Sequence, residues 1–209
     1  MYKHFIKRIL DILLSVLGIL ILAVPMLIFS IIIKLDSPGP VFFKQKRIGL
    51  HKKEFYIIKF RSMPVDMPRD VPTHEFEGED LLTGWQKWMR KMSIDELPQI
   101  FNIFFSQMSI IGPRPALWNQ YDLIAERDKY GANDVKPGLT GWAQINGRDE
   151  IEIPLKAKLD GEYAKNVGFL FDCKCFFKTI PNVLRHDGVS EGTSEIKIES
   201  KNVVMEGKK

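Results

Sequence analysis

Ile12 to Ile33 read ILLSVLGILILAVPMLIFSIII, an uncharged stretch of 22 residues dominated by Leu, Ile and Val. At helical rise such a stretch is roughly 33 Å long, enough to reach across the hydrocarbon of a bilayer. That reading makes the chain a membrane protein and everything after residue 35 a domain attached to it. Two details complicate a plain crossing. Basic residues stand at both ends, Lys3, Lys7 and Arg8 before the stretch and Lys34 after it, so the positive charge that orients a spanning helix points to neither side. Pro25 lies inside, where it deletes one backbone hydrogen bond and pushes against the carbonyl of Ile21. A helix kinked there can enter one leaflet and return, leaving both ends on the same face. A straight transmembrane anchor is the alternative. A cleaved signal peptide fits less well, because the run is too long and no small-x-small site follows it.

The remaining length bounds the architecture. With 209 residues in all, there is room for one domain with its own core beside the membrane element, and too little for two. The expected organisation is a membrane helix over 1–35, a folded domain over 36–185 and a polar, disordered tail over 186–209. The net charge of +4 and pI near 8.9 come from scattered basic residues, without the dense stripe of a duplex-binding surface. Nucleic acid is therefore a poor partner. Membrane lipids with anionic headgroups, and phosphates, suit the charge better. Cys173 and Cys175 would lie about 200° apart on a helix, and read as reduced interior thiols. His4, His51, His74 and His186 are dispersed, so no soft-metal site is expected.

Downstream of the apolar stretch, Ser37-Pro38-Gly39-Pro40 forces a turn. Val41 to Ile48 and Glu54 to Phe60 are rich in aromatic and β-branched residues around a polar, glycine-containing turn, which predicts a β-hairpin. Lys44, Lys46, Arg47, Lys52 and Lys53 give it a basic surface, either a phosphate or headgroup contact or a solvated face. Lys59-Phe60-Arg61-Ser62-Met63 follows the second strand; an arginine fork suits a diphosphate better than a lysine's point charge. Pro64 to Gly84 reads as a loop. Leu81 to Met92, with Trp85 and Trp88 three apart, reads as an amphipathic helix.

Next comes Arg90-Lys-Met-Ser-Ile-Asp-Glu-Leu-Pro-Gln99. Ser93-Ile94-Asp95-Glu96 fits a helix capping box, and a helix start there would also gather N–H groups and a positive dipole end that attract phosphate. Paired carboxylates serve phosphoryl chemistry in two ways. One can attack phosphorus to form an acyl phosphate, dividing one hard transfer into two easier steps. The other can hold a divalent cation, and magnesium takes one or two carboxylates plus substrate phosphates. A carboxylate approaching a diphosphate meets repulsion that cations must offset, so Arg61, Arg114 and Arg148 are expected near Asp95. Lys136 to Arg148 is a glycine-rich stretch in which the backbone can approach a ligand closely. Tyr121 to Tyr130 and Pro154 to Val167 read as helices. The aromatics from Phe169 to Phe177 either pack the core or dip into the membrane interface.

The wording of Lys7-Arg8-Ile9-Leu10-Asp11, Lys59 to Met63, Ser93 to Asn102, Met108 to Pro115 and Lys136 to Arg148 resembles the bacterial initiating sugar transferases, the monotopic phosphoglycosyl transferases. The resemblance covers about Lys7 to Leu184 and implies an α+β fold: a helix-rich single domain with a β-hairpin and an N-terminal re-entrant membrane helix broken at Pro25. In that family a Ser-Pro pair makes the break; here it is Val24-Pro25, so a hydroxyl from Ser15 or Ser30 would have to serve the freed backbone. A second departure is Phe105-Ser106-Gln107, where the family often carries a glycine and an acidic residue.

The implied activity is transfer of a sugar 1-phosphate from a nucleotide-diphosphate sugar, a UDP-sugar, to polyprenol (undecaprenyl) phosphate. UMP leaves and an aspartyl-phosphosugar forms on Asp95, with Glu96 as metal ligand or in proton handling. The implied site comprises Asp95 and Glu96 as catalytic residues and Mg2+ ligands, with Lys59, Arg61, Arg114 and Arg148 binding substrate. Resemblance also implies the first membrane step of surface-glycan or glycoconjugate synthesis, on the cytoplasmic face of the bacterial inner membrane. A homodimer is left open. The chain reads as a minimal catalytic unit, lacking the extra membrane helices of larger relatives. A glycosyltransferase that keeps the phosphate on the nucleotide, and a scaffold without activity, are the competing classes.

Overall fold

The computed structural model describes residues 1–67, 81–147 and 151–185. Most of the loop expected between Pro64 and Gly84 lies outside these, as do Arg148 and the tail expected over 186–209.

The apolar stretch forms helix α1, Lys7–Asp36, a 30-residue helix that runs through Pro25 without interruption. Its most apolar window has a mean hydropathy of 3.0 and is only 11% buried against the protein; the core helix of a water-soluble domain would be mostly covered. Neither expected hydroxyl serves the carbonyl that Pro25 orphans. Ser15 donates to Ile12 O and Ser30 to Met26 O, because a serine on a helix reaches back only three or four residues.

The predicted hairpin is present. Strand β1, Phe42–Ile48, pairs antiparallel with β2, Glu54–Phe60, in a register that sets Phe42 opposite Phe60 and Ile48 opposite Glu54. Helix α2, Gly84–Lys91, starts with a capping box made by Thr83 and Gln86. Its Trp85 stacks on Trp88 at 4.9 Å and meets Phe29 of α1 at 6.1 Å. A short helix α3, Gln99–Phe104, lies along β2. Strand β3, Ser109–Ile111, pairs in parallel with β4, Gly138–Thr140. Helices α4 (Tyr121–Asp128), α5 (Trp142–Ile145), α6 (Ile153–Lys165) and α7 (Phe169–Arg185) complete the domain, with Arg127 of α4 donating from Nε and Nη2 to Oδ2 of buried Asp160 in α6. The architecture is mixed helix and strand with small sheets, as expected. Both thiols are free and lie on α7, Cys175 buried and Cys173 partly so.

Contacts tie α1 to this body near its start, through its middle at Gly18 and Leu22, and along its second half. Near its start, Lys7 pairs with Asp172 at 2.7 Å, Arg8 donates to the carbonyls of Ile103 and Phe104 at the end of α3, and buried Asp11 accepts from Ser109 Oγ and Ile110 N, both at 3.0 Å. Near its end, Met26 and Ile33 pack against Phe60 and Met89.

Asn102 holds α3 to the hairpin. It is fully buried, accepts from Ile58 N at 2.9 Å and donates to Tyr56 O and Gln107 Oε1, each at 2.7 Å. These bonds satisfy the open edge of a two-stranded sheet, which is otherwise marginal. Replacing Asn102 with Leu strands an N–H and a carbonyl of β2, so it should cost roughly 2–4 kcal/mol. Thermal or denaturant unfolding in detergent checks this; a shift no larger than that of an exposed-site control would show that the edge is not held this way.

Candidate active site

The segment carrying Asp95 and Glu96 is shaped by one backbone reversal. After α2, Ser93 adopts φ 54°, a left-handed conformation uncommon outside glycine and asparagine. The chain then makes a single 3-10 turn, Ile94–Glu96, before Pro98 opens α3. The capping box expected at Ser93 does not form. Ser93 makes no side-chain cap, and the Glu96 carboxylate is engaged elsewhere, by two cations that bind it more strongly than one neutral N–H would. A lone turn also supplies no helix dipole of consequence, so charge at this site comes from side chains.

Two separate segments converge on Glu96. Lys59, next to last in β2, donates to Glu96 Oε1 at 2.9 Å. Arg114, just beyond β3, grips both carboxylate oxygens at 2.6 and 3.2 Å. Asp95, buried beside it, has a looser partner in Lys59 Nζ at 3.8 Å. The two neighbours consequently titrate in opposite directions. Burial pushes Glu96 upward, but Arg114 and Lys59 outweigh it and hold the carboxyl well below its ordinary value. For Asp95 burial wins: it raises the carboxyl, helped by the charge of Glu96, against the opposing pull of Lys59, Arg90 and Arg114.

Arg114 is positioned by close backbone approach. A side chain at Gly112 would meet Lys136 O at 2.4 Å, and one at Gly138 would meet Gly112 N at 2.1 Å. The glycines of this stretch therefore bring backbone to backbone rather than to a ligand, letting β3 and β4 pair. Past Arg114, the loop is held by Arg47, which donates to Pro115 O at 3.0 Å, and by Ile48 N on Ala116 O. Arg47 thus braces the site from behind, and Lys46 and Lys52 of the basic hairpin pair with Glu54 and Asp128.

Lys59, Arg114, Asp95 and Glu96 are together, as the sequence suggested. Arg61 is not with them. Its buried guanidinium donates to the carbonyls of Ile33, Ser37 and Pro38, binding the end of α1, where helix carbonyls lack intrahelical partners and favour a cation. Expected beside Asp95, Arg61 instead docks the end of α1. Arg148 lies outside the described residues. The charge that sequence reasoning missed is Arg90, which acts on Asp95; its place in the last turn of the amphipathic helix leading into the carboxylates was the available signal.

Beside the pair lies a cavity of about 270 Å³ lined by Glu96 and Arg114 and by apolar residues that include Leu22 of α1 and Ile180 of α7. Among the described residues no group of three or more His, Cys, Asp or Glu could enclose a metal. The available donors are the hard oxygens of Asp95 and Glu96, a set that fits magnesium completed by substrate phosphates and water.

Opposite shifts predict opposite effects on stability. The depressed Glu96 contributes stability that is complete above its ordinary value of 4.5 and is lost as pH falls through the depressed folded value. The raised Asp95 does the reverse, stabilising at low pH and losing that contribution as pH rises from its ordinary 3.8 through the folded value. At pH 7, therefore, Asp95→Asn should raise the melting midpoint by a few degrees and Glu96→Gln should lower it. Shifts of the same sign in thermal unfolding would contradict this electrostatic assignment.

The match to known proteins agrees with the motifs. A family model described as bacterial sugar transferase matches residues 2–186. The "Uncharacterized sugar transferase EpsL" of Bacillus subtilis (strain 168) is 38% identical over 186 residues, covering 89% of this chain and 91% of that protein. The UDP-N-acetylgalactosamine-undecaprenyl-phosphate N-acetylgalactosaminephosphotransferase of Aeromonas hydrophila is 39% identical, over 86% of this chain and 44% of its own length. The UDP-glucose:undecaprenyl-phosphate glucose-1-phosphate transferase of Escherichia coli (strain K12) is 38% identical, over 85% of this chain and 40% of its own. The chain thus spans less than half the length of these two enzymes. With nearly the whole described chain inside the match and the Asp95-Glu96 carboxylates braced by Lys59 and Arg114, the protein belongs to the bacterial sugar transferase family.

Proposed function

We propose that the protein transfers a sugar 1-phosphate from a UDP-sugar to undecaprenyl phosphate, releasing UMP, as a first membrane step in surface-glycan or glycoconjugate synthesis. The observation that carries this reading is the asymmetry of the carboxylates. Glu96 is a fixed anion gripped by two cations, whereas Asp95 is buried, raised and loosely paired. A carboxylate stripped of water and held away from a tight ion pair is the more basic and more nucleophilic of the two.

In this reading an Asp95 oxygen attacks the sugar-linked phosphorus of the donor. The new carboxylate O–P bond forms as the bond to the nucleoside monophosphate oxygen breaks, and UMP departs with that electron pair. An oxygen of the acceptor phosphate then attacks the same phosphorus, and the acyl–phosphate bond breaks to return Asp95 as a carboxylate. Arg114 and Lys59 meet the negative charge that accumulates on phosphate oxygens, and Glu96 keeps both cations aimed at the site between turnovers. Asp95 and Glu96 would hold the Mg2+, which when bound neutralises diphosphate charge.

The contacts of α1 support a re-entrant placement on one face of the membrane. Both ends of the helix are tied to one polar body, through Lys7, Arg8 and Asp11 at the start and through Arg61 at the end. A straight crossing would put those ends on opposite sides. The catalytic domain then lies on the cytoplasmic face, where nucleotide sugars are available.

Asp95→Asn should abolish UMP release in a nucleotide-sugar screen with undecaprenyl phosphate and magnesium, with chelation of magnesium doing the same. Release of UDP instead would assign a glycosyltransferase, and undiminished turnover by the variant would remove Asp95 from the chemistry. For topology, cysteines at exposed positions Lys3 and Leu35, with Cys173 and Cys175 replaced by Ser, should react with an impermeant reagent from the same side. Opposite-side labelling would rule out the re-entrant helix.

A further inference from the structure

At the start of α1 lies a second cavity, of about 280 Å³, that shares no lining residue with the one beside Glu96. Ser109 lines it and Ile110 lines the other, because successive residues of a strand point to opposite faces. With His51 neutral, its charged residues are Lys3, Lys7, Arg8 and Lys136 against Asp11 and Asp134. Lys7 is already paired with Asp172, so three cations face two carboxylates and one positive charge is left over. Lys136 is the least compensated of them. Its partly buried ammonium donates to Ser106 Oγ, and no carboxylate among the described residues forms an ion pair with it. Burial, and after it the charge of Arg8, hold this ammonium below its ordinary value against the pull of Asp11. The Phe105-Ser106-Gln107 turn, which lacks an acidic residue, thus offers the lysine a hydroxyl where a carboxylate would neutralise it, and Gln107 is turned away onto Asn102. Arg8 is bonded only to the carbonyls of Ile103 and Phe104, which leaves its charge unmatched and further donors for another acceptor. Apolar side chains surround these cations: Phe5 and Ile9 at the helix start and Phe105 beside Ser106 are exposed, and α1 leaves most of its surface uncovered. The cations therefore lie where a lipid-facing surface gives way to the polar body, the level of headgroup phosphates.

We propose that this cavity seats the phosphodiester of an anionic phospholipid, with the phosphate among Lys136, Arg8 and Lys3 and the acyl chains along the uncovered face of α1. The proposal rests on the membrane placement of α1 and not on the transfer reaction. A phosphodiester carries one negative charge near neutrality, which equals the excess in the cavity, whereas a phosphomonoester carries nearly two. A zwitterionic headgroup would bring a further cation to a site already crowded with them, and like charges brought together repel. A phospholipid is also held at this depth by its chains, so it loses less freedom on binding than a phosphate arriving from solution.

The test places the full chain in phosphatidylcholine nanodiscs and measures the association of spin-labelled phosphatidylglycerol relative to spin-labelled phosphatidylcholine. Phosphatidylglycerol should be preferred at least about fivefold. Lys136→Gln, Lys3→Gln and Ser106→Asp should each lower that preference about fivefold, the worth of one basic charge near a membrane surface. Ser106 has φ 68°, a left-handed backbone that Asp and Asn both tolerate, so Ser106→Asp adds a carboxylate at Lys136 while Ser106→Asn adds none. Ser106→Asn, and Lys158→Gln at an exposed position of α6, should stay within about twofold of the wild-type protein. Inorganic phosphate should displace no more phosphatidylglycerol than sodium chloride of equal ionic strength, which screens without binding. Equal association of the two lipids with the wild-type protein overturns the proposal, as does an equal loss in Ser106→Asp and Ser106→Asn. Specific displacement by inorganic phosphate would give the cavity to a soluble anion instead of a lipid. A chain that does not co-elute with the nanodiscs would remove the membrane placement of α1 and this proposal with it, whereas loss of sugar transfer alone would leave the lipid site standing.

Discussion

One partly buried carboxylate organises the active region. Glu96 is shared by Lys59 from the hairpin and Arg114 from the loop after β3, and neither cation could be brought to this partly buried place without it. Isolated charges are expensive to desolvate, and two like charges side by side more so. The pairing therefore requires the hairpin, the 3-10 turn and the β3–β4 pair to meet at one point. Each carries a device for doing so: the β1–β2 register places Lys59, the left-handed Ser93 turns Asp95 and Glu96 into the site, and facing glycines at positions 112 and 138 admit the strand that presents Arg114.

The same economy governs the membrane helix. Polar contacts at its two ends and a small apolar seam through Met26 and Ile33 attach it, leaving most of its surface uncovered by protein. Arg61 is central, because its donors satisfy carbonyls at a helix end that would otherwise face an apolar environment. A basic residue that looked like a phosphate contact thus uses its charge to hold the scaffold to the end of the long apolar helix.

Asp95 stands against this trend towards satisfaction. It is buried, its carboxyl is raised, and its nearest cation is bonded more closely to its neighbour. Local strain at Ser93 and an under-paired carboxylate lie within three residues of each other, and such clusters of unsatisfied groups are characteristic of sites where stability yields to reactivity.

Much of this was legible in the chain. The uncharged run from Ile12 to Ile33, the alternating strands around Leu50–Lys52 and the amphipathic spacing of Trp85 and Trp88 are local periodicities, and local periodicity is set by which residues must share a face. The carboxylate pair and Arg114 were legible through their motif. Less so were the partners. Ser93 and Glu96 looked like a capping box, Arg61 looked like a phosphate contact, and β3 and β4, three residues each, are too short to carry a period at all. The amino-acid sequence by itself determined the elements and the kinds of chemistry present; only the tertiary structure decided which cation meets which carboxylate, because side chains 18 to 37 positions apart are matched by the packing of whole elements and not by anything written in their immediate neighbours.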